Sequence, residues 1–89
     1  MKFTSLDKQN IDALFSSFES CLEAHDITFQ FMRMTEEEGI ISFDFCNNPA
    51  KTRSVEFEGK NLVDLDTEYI AKEILIPILP RLKEYAKAK

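Results

Sequence analysis

The sequence predicts a single α+β domain spanning residues 1–89, a two-layer αβββα arrangement with two helices on one face of a three-stranded antiparallel meander. Three observations carry that expectation. Apolar residues recur with helical period near both ends of the chain, and with period two in between. The period-two stretches are separated by short polar turns. Ten aromatic side chains, eight of them Phe, supply one core in a chain of 89 residues.

The first helix is read over residues 5–25. Ile11, Leu14, Phe15, Phe18 and Leu22 form one stripe, with Cys21 and His25 at its margin and Asp12, Ser16, Glu19 and Glu23 on the other side. Thr4 or Ser5 is the expected N-cap.

Three strands follow. In DITFQFMRM the apolar odd positions are Ile27, Phe29 and Phe31; in IISFDFC they are Ile41, Phe43 and Phe45; in TRSVEFE they are Val55 and Phe57. Successive side chains of a strand point to opposite faces, so these odd positions are assigned to the helix-covered side. TEEEG joins the first two strands, with Gly39 supplying positive φ, and NNPAK joins the second to the third.

GKNLVDLDTEY leads into the last helix, with Asp64, Asp66 or Thr67 as N-cap; a short extra strand over residues 62–65 is the alternative. Ile70, Ile74, Leu75, Ile78, Leu79, Leu82, Tyr85 and Ala86 keep helical period straight through Pro77 and Pro80. Both prolines lie opposite that stripe, where carbonyls freed by the missing donors meet water. One curved helix is expected, with two short helices broken near Ile76 as the alternative.

Net charge is −5 and unevenly spread: residues 1–50 carry three bases against nine acids, residues 51–89 eight against seven. That balance disfavours a nucleic-acid partner, because phosphates demand a positive surface. No apolar stretch suggests a signal peptide or a membrane span, so the expected setting is cytoplasmic, without a membrane partner. Cys21 and Cys46 lack the spacing of zinc or redox motifs and are read as reduced thiols, with a disulfide between them as the alternative.

Catalytic signals are weak. His25 is the only histidine and reads as a helix-end residue. With Gly39 and Gly59 alone there is no glycine-rich phosphate loop, and Glu36, Glu37 and Glu38 read as a solvated turn rather than a metal site. The expectation is a non-enzyme without a cofactor.

In order of elements alone the chain is similar to the double-stranded-RNA-binding domain. Its last helix opens on the acidic DLDTEY, however, where phosphate contacts would need bases. The nucleic-acid alternative therefore rests on Arg81, Lys83, Lys87 and Lys89, whose plainer reading is complementing the helix dipole.

Two apolar features are assigned to solvent. Even positions of the strands form the uncovered sheet face, where Met32, Met34 and Ile40 make an adaptable patch beside Asp44 and Glu56. Tyr69, Ile76 and Pro80 form a strip on the outer side of the last helix. The combined expectation is a small acidic module binding a protein partner in the manner of an inhibitor, immunity protein or chaperone, with self-association into a homodimer and mimicry of nucleic acid as further alternatives.

Overall fold

The structure, a computed structural model, describes residues 1–87. It comprises α1 (Lys8–Ala24), β1 (Phe31–Glu37), β2 (Ile40–Cys46), β3 (Arg53–Glu58), α2 (Thr67–Leu75) and α3 (Leu79–Lys87), with a 3-10 turn at Ile76–Ile78 linking the last two helices. The sheet is an antiparallel meander in the order β1-β2-β3. The helices cover one face of it, as the period change predicts.

The core is aromatic where the layers meet. Phe18 of α1 sits edge-on to Phe43 at 5.0 Å and stacks near Phe57 at 5.8 Å, while Phe45 lies 4.7 Å from Phe29 and 6.3 Å from Tyr85 of α3. Ile41, Phe43 and Phe45 are fully buried, and Val55 and Phe57 pack beside them, so β2 and β3 take the expected parity.

The caps differ from expectation. Asp7 is the N-cap of α1, accepting from the Asn10 N–H, whereas Thr4 and Ser5 lie one turn too early. The buried Asn10 side chain then ties this lead-in together, accepting from the Thr4 N–H and donating to Asp7 Oδ1. At the other end Ile27 N–H returns to Leu22 O and Asp26 N–H to Glu23 O, with Asp26 at φ 58. This left-handed helix stop drives Ile27 into the core beside Leu22.

The first strand starts later than its sequence pattern. Ile27 and Phe29 are buried but precede β1, a bend falls at Gln30, and Phe31 emerges 46% exposed. The side chain of Asn47 holds this bend: Oδ1 accepts from Gln30 N–H at 2.9 Å and Nδ2 donates to Ala86 O at 2.8 Å. Past the bend the parity is reversed, which places Met32 opposite Phe45 and Met34 opposite Phe43, on the helix side. The two-residue turn between β1 and β2 has Glu38 at φ 51 and Gly39 at φ 85, the pair of positive φ values that a type I′ turn requires.

Residues 62–65 do not join the sheet. Phe3 N–H donates to Leu65 O and Asp64 N–H to Phe3 O, both at 2.8 Å, so an early segment of the chain pairs with this loop and buries Phe3 completely. Asp66 is the N-cap of α2, accepting from Glu68 N–H. The single curved helix is not what forms: as in the alternative of two short helices, α2 ends at Leu75 and the 3-10 turn Ile76–Ile78 separates it from α3. Pro77 is the second residue of this single tighter turn, around which Leu75, Ile76 and Leu79 keep helical backbone angles, and Pro80 is the second residue of α3, where a missing N–H has no intrahelical carbonyl to lose.

Candidate interaction surface

The bare face of the sheet is built by cross-strand rows. Pairing places Phe31 beside Cys46; Arg33 beside Asp44 and Ser54; Thr35 beside Ser42 and Glu56; and Glu37 beside Ile40 and Glu58. Residues paired across a sheet share a face. The face therefore runs from an aromatic end at Phe31 to an acidic end at the β1–β2 turn.

Its centre is locked by Asp44. Arg33 donates to Asp44 Oδ2 from Nη2 at 2.9 Å and Nε at 3.2 Å, while Ser54 and Ser42 donate to Oδ1 at 2.6 and 3.0 Å. Burial disfavours the charge, but the hydrogen bonds from Ser54, Arg33 and Ser42, together with the guanidinium charge, outweigh it. They hold the carboxyl below the usual carboxylate range. A carboxylate so enclosed is a structural pin for all three strands. The Arg33 guanidinium also lies 5.8 Å from the centre of the Phe31 ring, which steadies that exposed aromatic.

At the acidic end, Ile40 is 38% exposed and shares a shallow hollow of about 300 Å³ with Thr35, Glu37, Glu38, Ser42 and Glu56. Among the described residues no cation pairs with Glu37, Glu38 or Glu56, whereas Glu58 pairs with Lys60 at 3.2 Å.

Of the residues singled out in the sequence, Ile40, Asp44 and Glu56 come together on this face. Met32 and Met34 do not: the bend at Gln30 turns them to the helix side, where both are half-buried against the core. Phe31 and Arg33 take the positions assigned to them. Sequence reasoning missed both, because Phe31 continues the alternation of Ile27 and Phe29 and only the pairing with Cys46 reveals its side. Tyr69, Ile76 and Pro80 are exposed on the solvent side of the helical layer, away from the bare face.

The C-terminal bases divide. Arg81 borders a groove with β3, while Lys83 and Lys87 line a separate hollow of about 570 Å³ with His25, Gln30 and Asn47. Lys89 lies outside the described residues. Cys21 and Cys46 are both buried free thiols, and burial pushes the Cys21 thiol up, with nearby Lys72 opposing in part. Among the described residues no helix is long and apolar enough to cross a membrane.

A scan against protein-family models finds no match to this chain, and a search of curated proteins finds none either.

Proposed function

We propose that the chain is a non-catalytic interaction module whose bare sheet face receives a basic surface of a protein partner. The observation that supports this reading most is the acidic end of that face, where Ile40 stands among three unpaired carboxylates over a shallow hollow. An apolar anchor ringed by charge is the composition of a binding hot spot with its rim. The Asp44 network fixes the backbone beneath it, so little ordering is needed on association. Unpaired carboxylates add attraction at a distance, which speeds the encounter with a basic partner.

The chemistry of the same face favours binding over turnover. Asp44 is committed to Arg33, Ser42 and Ser54, and His25 lies elsewhere, at the end of α1. A small acidic module acting in the manner of an inhibitor, immunity protein or chaperone fits this role.

The test is affinity capture from the native host on immobilised protein, with mass identification of what is retained. The expected result is a basic protein whose retention weakens with salt, is lost on Ile40→Lys and survives Tyr69→Asp. Equal retention by Ile40→Lys, or recovery of nucleic acid alone, would overturn the reading.

A further inference from the structure

We infer that the groove between the free edge of β3 and the helix α3 takes an extended acidic peptide as a fourth strand of the sheet. The surface is distinct from the bare sheet face, and the inference stands independently of the reading above.

Strand order makes β3 an edge, so its outward N–H and C=O groups have no partner strand among the described residues. Beside that edge lies a groove of about 600 Å³, walled on one side by the consecutive residues Thr52 to Val55 and on the other by Ile78 of the 3-10 turn with Arg81, Leu82 and Tyr85 of α3. Four residues of strand span about 13 Å, the length of a four- or five-residue peptide segment. A strand edge with a wall of helix beside it is a geometry in which added strands are held: backbone hydrogen bonds supply affinity and the wall reads alternate side chains.

Those alternate positions meet two kinds of chemistry. Val55 and Ile78 are half-buried and offer apolar contact. Arg53 and Arg81 are exposed and, among the described residues, have no carboxylate within ion-pair distance, unlike Arg33, Lys8 and Lys60. The Arg53 guanidinium lies 4.4 Å over the Tyr85 ring, which holds its planar fork in place for a carboxylate. An acidic side chain flanked by apolar ones at every second residue fits this wall.

The backbone decides between a peptide and a nucleic acid. A strand edge presents donors and acceptors in turn, and a polypeptide answers both. A phosphodiester chain accepts only, so it leaves the edge carbonyls unanswered.

The experiment pans a phage-displayed library of random octapeptides against the wild type and against the Arg53→Glu/Arg81→Glu variant. The enriched sequence is then made with a fluorescein label and measured by anisotropy. A copy N-methylated at alternate residues and a labelled dT12 serve as comparators. Both arginines are exposed, so the variant is expected to fold, which amide spectra of each protein check. The expected outcome is selection of acidic, alternately apolar peptides whose affinity falls at least tenfold on Arg81→Glu or on N-methylation. Amide shifts on binding should centre on Thr52 to Val55. Enrichment no greater on the wild type than on the variant, binding indifferent to N-methylation, or tight dT12 binding without peptide binding would each overturn the inference.

Discussion

Arg33 and Asp44 stand opposite each other across β1 and β2 on the bare side of the sheet, with Arg33 Nη2 2.9 Å from Asp44 Oδ2. The pair is unequal: the Asp44 side chain is 11% exposed and that of Arg33 58%. Removing the buried partner strands the guanidinium and two serine hydroxyls, whereas removing the exposed one leaves Asp44 two hydrogen bonds. Asp44→Ala should therefore cost about 2 kcal/mol of stability, and Arg33→Ala less than about 1 kcal/mol. Urea denaturation of both variants checks the order.

The same carboxyl sets a pH dependence. Its folded value is depressed, so its contribution is fully present above the unfolded carboxylate value of about 3.9 and disappears as pH falls through the lower folded value. Between about pH 5 and pH 2 the wild type should lose more stability than Asp44→Asn, because only the wild type takes up this proton on unfolding. Parallel acid profiles from chemical denaturation would refute it.

Three of the described non-glycine residues hold left-handed backbone, Asp64 (φ 74) in the loop before α2 and two at the ends of elements. Asp26 (φ 58) stops α1 and Glu38 (φ 51) opens the β1–β2 turn. Asp26→Gly and Glu38→Asn should each raise stability by about 0.5–1 kcal/mol, since glycine and asparagine adopt that region at less cost. Thermal denaturation measures the gain.

Asn47 joins the Gln30 bend to the end of α3, with hydrogen bonds of 2.9 and 2.8 Å. Asn47→Ala should cost about 1–2 kcal/mol and accelerate exchange of the Gln30 amide more than that of the central strand. Uniform acceleration would mean that the bend is not held locally.

That bend also marks where sequence reading stops. Alternation over IISFDFC and TRSVEFE gave the correct faces of β2 and β3, because nothing interrupts those strands. In ITFQFMRM both parities are apolar, Phe29 and Phe31 in one set and Met32 and Met34 in the other. The choice between them after Gln30 depends on Asn47, seventeen residues further on. Burial of Phe3 is equally illegible, for its hydrogen-bond partners are Leu65 and Asp64 at the far end of the chain. Of the proposed surface, Ile40 and Glu56 follow from local pattern, while Phe31 and Arg33 emerge only from pairing. The helical stripe through Pro77 and Pro80 was legible, but the tight turn between α2 and α3 needed coordinates.

The most direct test of the proposed function is an amide chemical-shift titration of the ¹⁵N-labelled chain with its captured basic partner. The account predicts shifts concentrated on the bare face, at Thr35, Glu37, Ile40, Ser42 and Glu56, that shrink as salt is raised. Shifts confined to the outer side of α2 around Tyr69 and Ile76, with that face silent, would contradict it.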